Sequence, residues 1–167
     1  MNYIGSKFSL LPFIESTINA VVDSDLRDKV FCDIFAGTGI VGRTFKPRVR
    51  KVIANDWEYY SYVLNRNYIG NHTKLDEGVE LLSELNSLDG VEDGFIYKNY
   101  CYGSGSGRQY FSDENGKKID AIRSRIEYWK NAGEISEDMY FFLLASLLES
   151  ADKLANTASV YGAFSKH

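Results

Sequence analysis

The fold is decided by one stretch of the chain, Val30-Phe31-Cys32-Asp33-Ile34-Phe35-Ala36-Gly37-Thr38-Gly39-Ile40-Val41-Gly42. Its apolar beginning predicts a strand over residues 28–35, and its glycines predict a tight turn that leads into a short helix over residues 40–45. A second strand, residues 51–54, follows and ends in Asn55-Asp56. A strand, a glycine turn and an acid at the tip of the next strand form a cradle for a nucleoside-containing cofactor, in which the acid binds the ribose hydroxyls.

The glycine spacing leaves two cofactor classes open. The three glycines of the turn match the Gly-x-Gly-x-x-Gly spacing of dinucleotide sites, and S-adenosylmethionine sites use a similar turn. Two details favour S-adenosylmethionine. Phe35-Ala36 directly precedes the turn, with Asp33 two residues before Phe35, and Asp56 follows the turn by fewer than the roughly 20 residues usual in dinucleotide sites.

Composition sets limits on the class of protein. The chain has 167 residues, which predicts one domain or one domain with a small helical annex. It contains no apolar run near the roughly 20 residues that span a bilayer, and its N-terminus lacks the layout of a signal peptide. We therefore expect a cytoplasmic protein with no membrane segment. A net charge of −4 argues against a protein coated in basic charge, yet it leaves room for a local basic stripe that binds nucleic acid.

The two cysteines predict neither a disulfide framework nor a metal site. Cys32 falls in the first predicted strand, so we expect it to be a small buried core residue. Neither Cys32 nor Cys101 has metal-ligand spacing with a histidine. We therefore expect no metal.

The remaining elements are predicted to be helical. Apolar spacing predicts helices over residues 9–22, 57–68, 75–88, 118–129 and 139–154. A glycine-rich loop covers residues 100–107, Gly133 is predicted to break the helix over residues 118–129, and Ser136 is predicted to cap the helix over residues 139–154. These elements predict an α/β domain over residues 1–93 and a helical region over residues 94–167.

Three features each have two interpretations. Trp57 directly follows Asp56, so it either lies against an adenine ring or packs its helix onto the sheet. The basic residues of segment 43–51 form either a solvated turn, the favoured interpretation, or a phosphate-binding patch. Arg108, Lys117 and Lys118 lie near aromatic residues, and they either contact a phosphate backbone or belong to a solvated loop.

Three segments together resemble the Dam-type, alpha-group DNA adenine-N6 methyltransferases. They are the N-terminal Asn2-Tyr3-Ile4-Gly5-Ser6-Lys7, the turn Phe35-Ala36-Gly37-Thr38-Gly39, and Asp56 after the second strand. Residues 100–118 and 155–166 are similar to the helical insert of this family, which belongs to its DNA-binding and target-recognition region. The resemblance covers essentially the whole chain.

The resemblance implies a partial Rossmann-like, S-adenosylmethionine-dependent methyltransferase fold with a helical insert. Residues 1–93 would then bind S-adenosylmethionine, and residues 94–167 would bind double-stranded DNA. The implied cofactor-binding residues are Tyr3, Lys7, Asp33, Phe35, Ala36, Gly37, Thr38, Gly39, Asp56 and Trp57. The implied DNA-binding residues are Arg108, Tyr110, Lys117 and Lys118.

One departure from the family decides what the chain can do alone. The family's catalytic Asp-Pro-Pro-Tyr motif binds the amine of a flipped adenine, and this chain has only two prolines, Pro12 and Pro47, which are not adjacent. We therefore expect no catalytic residues here and an inactive chain: a truncation, a frameshift product, or one half of a split enzyme whose second polypeptide carries the motif.

Two alternatives stay open. A methyltransferase for RNA or a small molecule would share the turn and Asp56 but not the N-terminal segment or the insert. A non-catalytic nucleic-acid-binding module would use the glycine turn only for packing.

Overall fold

The computed structural model describes residues 7–22 and 25–156. The chain divides into two compact units, of which the first is Gly5–Thr73 and the second is formed mainly by Lys74–His167. This division falls earlier in the chain than the predicted domain boundary after residue 93, which stays a prediction. Candidate residue Tyr3, and all but the first two residues of segment 155–166, lie outside the described residues.

The first unit is built around a parallel strand–helix–strand motif. Its elements are a 3₁₀ turn (Lys7–Leu10), α1 (Leu11–Val21), β1 (Val30–Asp33), α2 (Ile40–Phe45), β2 (Lys51–Ala54), α3 (Tyr59–Asn65) and a π-helical turn (Arg66–Gly70). The two strands pair with Val30 opposite Lys51 and Asp33 opposite Ala54. The predicted bounds of α2 and β2 are confirmed, whereas β1 is shorter at both ends than predicted.

The core of this unit lies where α1, α2 and β1 meet. Val41 and Phe45 of α2 are buried together with Leu26, and the apolar stripe of α1 packs against them. The rings of Phe31 and Phe45 stack with their centroids 4.5 Å apart. An α/β arrangement with a small parallel sheet is therefore present, and it holds the loops that leave the carboxyl ends of both strands.

The opposite face of the sheet is open. Successive side chains of a strand point to opposite faces, and Val30, Cys32 and Ile53 share the more exposed face of the sheet. Val30 is 45% exposed and Ile53 is 42% exposed. Cys32 is exposed as well, so the prediction that it is a buried core residue is wrong. The prediction assumed a sheet covered on both faces, whereas in the first unit it is the side of Phe31 and Val52 that packs on neighbouring elements.

The second unit is helical. It contains α4 (Gly78–Ser87), α5 (Phe95–Tyr100), a 3₁₀ turn (Tyr102–Ser104), α6 (Asp113–Ala132) and α7 (Glu137–Leu154). Helices α6 and α7 pack on each other, and α4 packs on both. Ser112 and Ser136 cap α6 and α7 by accepting the N–H groups of Asn115 and Met139. Helix α6 begins five residues before and ends three residues after its predicted bounds, and Gly133, with φ +71°, follows its last residue.

Helix α5 was not predicted, and a distant side chain explains it. The buried carboxylate of Asp120 accepts the backbone N–H groups of Ile96 at 2.9 Å and Tyr97 at 2.8 Å. These are first-turn donors that have no partner within the helix. A Cβ at Gly94 would lie 2.1 Å from Asp120, so this approach requires glycine. No helix among the described residues is both long and apolar enough to cross a membrane.

Candidate functional site

The glycine turn connects β1 to α2 with two residues in the left-handed region. Gly37 has φ +55° and Gly39, which precedes the first residue of α2, has φ +77°. Side chains rarely adopt this conformation, so both positions favour glycine. Gly42 serves packing instead, since a Cβ there would lie 2.5 Å from Ile69 Cδ1. The three glycines therefore have the division of roles known from nucleotide-binding turns, two in the turn and one in close packing.

Asp56 lies two residues after the end of β2 and is hydrogen-bonded to the turn. Its Oδ2 accepts the N–H of Gly37 at 2.7 Å, and its Oδ1 accepts the N–H of Glu58 at 3.2 Å. Partial desolvation opposes ionisation, but the N–H groups of Gly37, Glu58 and Trp57 and the charge of Lys7 together lower the pKa of Asp56. An ionised carboxylate offers about four hydrogen-bond acceptor positions. Asp56 can therefore hold the turn and still accept hydrogen bonds from a bound molecule.

The lowered pKa of Asp56 predicts an acid-sensitive contribution to stability. A carboxyl whose pKa is depressed in the folded state stabilises the fold above its unfolded value, near pH 4, and this contribution is lost as the pH falls through the folded value. Wild type is expected to be more stable than Asp56→Asn at pH 6, with the difference shrinking below pH 4. Urea denaturation of both proteins at pH 6 and at a pH below 4 measures this difference in the free energy of unfolding. A difference that does not change with pH would contradict the assigned role of the carboxylate.

Lys7 closes the cradle from the N-terminal side. Its Nζ lies 2.9 Å from Asp33 Oδ1 at the end of β1, and it also donates to the carbonyl of Phe35. Asp33 Oδ1 accepts the N–H of Phe35 at 3.3 Å. The Lys7 and Asp33 side chains are 29% and 9% exposed. The structure therefore brings these predicted residues together at the start of the turn.

The rim of the cradle is aromatic and exposed. Trp57 is 96% exposed and Phe35 is 73% exposed, whereas Ala36 is buried. The Ala36 N–H donates to Asn55 O at 2.9 Å, which continues the pairing of the strands beyond β1 and β2. Trp57 does not pack its helix onto the sheet, so that interpretation is wrong. Partly buried Thr38 lies between Gly37 and Gly39 in the turn.

Two buried polar residues of α3 were missed by the sequence reasoning. Ser61 and Asn65 lie beneath the turn and donate to the carbonyl of Gly37. They are four residues apart and therefore share one face of α3. Polar residues at this spacing in a helix that is otherwise aromatic and aliphatic were the available signal.

Arg108 is presented by an anchored loop in the second unit. The backbone N–H groups of Tyr110 and Phe111 donate to Tyr100 O at 3.0 and 3.2 Å, which closes the base of the loop. Gly105 and Gly107 turn the chain with φ near +78° and +75°. The exposed Arg108 lies 5.0 Å from the Tyr100 ring centroid, and the Tyr110 ring meets the edge of the same ring at 5.7 Å.

Lys117 and Lys118 are engaged by the protein itself. Lys117 Nζ lies 2.9 Å from Glu92 Oε1. Lys118 donates to Asn86 O at 2.9 Å and to Leu88 O, at the C-terminal end of α4. The neighbouring cavity, of about 590 Å³, is lined by three carboxyl side chains as well as the two lysines. This geometry favours a stabilising role for both lysines over phosphate contact.

The basic segment 43–51 is also largely engaged within the first unit. The Arg43 guanidinium lies 3.7 Å from the Tyr68 ring centroid. Lys46 donates to Tyr68 O and Asn71 O at 3.1 and 2.7 Å, and burial lowers its pKa. These contacts favour a structural role over a phosphate-binding patch. Among the described residues, no group of three or more His, Cys, Asp or Glu side chains lies close enough to hold a metal ion.

Comparison with known proteins decides the family. The family model for D12 class N6 adenine-specific DNA methyltransferases matches residues 3–167. The chain belongs to this family. Its members use S-adenosylmethionine as methyl donor.

Curated relatives of this D12-class chain are longer than it is. It is 65% identical over 167 residues to type II methyltransferase M.NlaIII of Neisseria lactamica, a match that covers all of this chain and 50% of that protein. It is 40% identical to type II methyltransferase M.CviAII of Paramecium bursaria Chlorella virus 1, over 49% of that protein, and 37% identical to modification methylase StsI of Streptococcus sanguinis, over 26% of that protein. The chain therefore spans about half or less of the length of these relatives. No solved structure matches the chain significantly.

Proposed function

We propose that this chain is the cofactor-binding portion of a DNA methyltransferase that transfers a methyl group from S-adenosylmethionine to N6 of adenine. The observation that carries the proposal is the bond from Gly37 N–H to Asp56 Oδ2, which joins a left-handed glycine turn to an acid at the next strand tip. The family match supports the same activity. We further propose that the sheet belongs to a Rossmann-like fold.

The residues of the cradle fit S-adenosylmethionine, which supplies an electrophilic methyl group on a sulfonium when bound. Asp56 accepts the ribose hydroxyls with its remaining lone pairs. The exposed Trp57 lies next to Asp56, where its ring offers a stacking surface to adenine. The turn from Phe35 to Gly39 wraps the methionine portion, and Lys7 with Asp33 borders it. Tyr3 is proposed to join this pocket from the N-terminal segment.

The proposed substrate is double-stranded DNA. Its contact in the second unit is the loop that presents Arg108, with Tyr110 at the loop base. Arginine binds phosphate through a planar fork of donors, and the exposure of Arg108 leaves that fork accessible. The names of the relatives, type II methyltransferases and modification methylases, support a role in DNA modification. A DNA substrate also favours the predicted cytoplasmic location.

We also propose that a second polypeptide carries the catalytic motif and completes the sheet. The open face with Val30, Cys32 and Ile53 supports this, because an uncovered apolar sheet face and unpaired strand edges favour association. The relatives are about twice this length or more, so a polypeptide equivalent to their remaining length is the proposed occupant.

The chain alone is expected to transfer no methyl group. The lone pair of the adenine amine is delocalised into the ring, so transfer needs acceptors placed on that amine and a pocket for the flipped base. The test is tritiated methyl transfer to DNA free of N6-methyladenine. Incorporation at background with this chain, and activity after addition of the matching second polypeptide, are the expected results. N6-methyladenine formed by the purified chain alone would contradict the proposal that a second polypeptide carries the catalytic motif.

Arg108→Gln and Lys118→Gln are expected to act differently. The first variant should weaken DNA binding and reduce the salt slope by roughly 0.9, the value for one lost phosphate contact. The second should lower thermal stability, because Lys118 holds the end of α4, and leave the slope unchanged. Fluorescence anisotropy of a labelled duplex across a salt series measures both. The reverse pattern would assign the DNA contact to Lys118 and not to the loop that presents Arg108.

A further inference from the structure

Ser61 and Asn65 lie one helical turn apart on α3, beneath the glycine turn. Ser61 is fully buried and Asn65 is 9% exposed. Ser61 Oγ donates to the carbonyl of Gly37, and Asn65 Nδ2 donates to the same oxygen at 3.1 Å. Two buried donors therefore converge on one backbone acceptor of the turn.

The orientation of the Asn65 amide is fixed by its neighbours. Nδ2 also donates to the carbonyl of Ser61 at 2.8 Å, and because both partners are carbonyl acceptors, the nitrogen must face them. The amide oxygen then faces Gly39. It has no hydrogen-bond partner among the described residues, and it lies 2.6 Å from the position that a Cβ at Gly39 would occupy. One side chain thus contacts both glycines of the turn.

Gly37 is held from both sides. Its N–H is bonded to Asp56 at 2.7 Å, and its carbonyl is bonded to Ser61 and Asn65. Because both its N–H and its C=O are hydrogen-bonded, Gly37 has little freedom to change its φ and ψ angles from the left-handed conformation. The conformation of the turn is therefore determined jointly by the tip of β2 and by the buried face of α3.

We propose that Ser61 and Asn65 are positioning residues of the cofactor site, which fix the Gly37 carbonyl and so hold the turn in its binding conformation. The identity of the ligand in this inference rests on the proposed function above. Without these donors, the turn would populate other conformations, and only a fraction of the molecules would hold it in the binding conformation. The apparent dissociation constant for the cofactor equals the intrinsic constant divided by that fraction, so it would rise. Neither residue is assigned contact with the cofactor.

The test compares Ser61→Ala and Asn65→Ala with Thr44→Val. Thr44 lies in the same unit and donates to Ile40 O at 2.9 Å within α2, away from the turn, so its variant removes a similar bond. Calorimetry with S-adenosylmethionine is expected to show about five- to tenfold weaker binding for the first two variants and no change for Thr44→Val. Because both donors share one acceptor, the double variant should lose less than the product of the single losses.

Amide hydrogen exchange of Gly37 and Gly39 in ¹⁵N-glycine-labelled protein gives a readout without ligand. Faster exchange in Ser61→Ala and Asn65→Ala, but not in Thr44→Val, is expected. If Asn65→Ala does not fold, Ser61→Ala, which removes only a hydroxyl, decides alone.

The two readouts separate this inference from the proposed function. Wild type that binds S-adenosylmethionine, with variants that match it in affinity and exchange, would overturn the positioning role and leave the function standing. Folded wild type that does not bind would contradict the function. In that case, unchanged glycine exchange in the variants would overturn the inference as well, and faster exchange would support the fixing of the turn.

Discussion

Gly37→Val is expected to abolish binding of S-adenosylmethionine while the chain stays folded. Gly37 has φ +55°, a region that costs an L-residue about 1–2 kcal/mol and suits a β-branched side chain least. Valine would move the turn away from Asp56 and from the donors of α3, and its side chain would occupy space where backbone approaches the cofactor. Calorimetric titration, with circular dichroism to confirm folding, measures the effect.

Gly133→Val is the matched control. Gly133 has φ +71°, and apart from its chain neighbours no atom of the described residues lies within 4 Å of an added Cβ, so the variant carries similar backbone strain in the second unit, outside the cradle. It should lose stability and keep its affinity. Normal binding by Gly37→Val would show that the turn serves packing alone.

Asp56→Ala is expected to weaken cofactor binding at least about tenfold. A hydrogen bond to a charged group contributes about 1.5–3 kcal/mol, and 1.4 kcal/mol corresponds to about tenfold in affinity. The variant also frees the Gly37 N–H, which adds to the loss. Asp25→Ala removes an exposed carboxylate from the same unit, one that pairs with Arg27, and should leave affinity unchanged. Equal affinity in Asp56→Ala and wild type would remove Asp56 from the site.

Local sequence signals predicted the elements that form the cradle. The bounds of α2 and β2 follow from a glycine turn, an apolar strand and Pro47, all of which act within a few residues. The cap at Ser136 and the stop at Gly133 are equally local. Because the turn, Asp33 and Asp56 all stand at strand ends, their proximity followed from the parallel arrangement of consecutive strands.

Contacts between residues that are far apart in the sequence could not be predicted from local patterns. Helix α5 depends on Asp120, 24 residues after Ile96, and no local pattern indicates such a cap. Lys118 was a candidate for phosphate contact or for a solvated loop, whereas in the structure it donates to the carbonyls of Asn86 and Leu88 at the end of α4. Cys32 was predicted to be buried because the strand was taken to be covered on both faces, whereas in the first unit the side of Phe31 packs on the core and Cys32 is exposed.

The most direct test of the cofactor assignment is a calorimetric titration of the folded chain with S-adenosylmethionine, alongside NAD and the Asp56→Ala variant. We expect one S-adenosylmethionine site per chain, weakened at least about tenfold by Asp56→Ala, and no comparable binding of NAD. A folded chain that binds NAD as tightly, or that binds S-adenosylmethionine equally well without the Asp56 carboxylate, would contradict the assignment of the cradle.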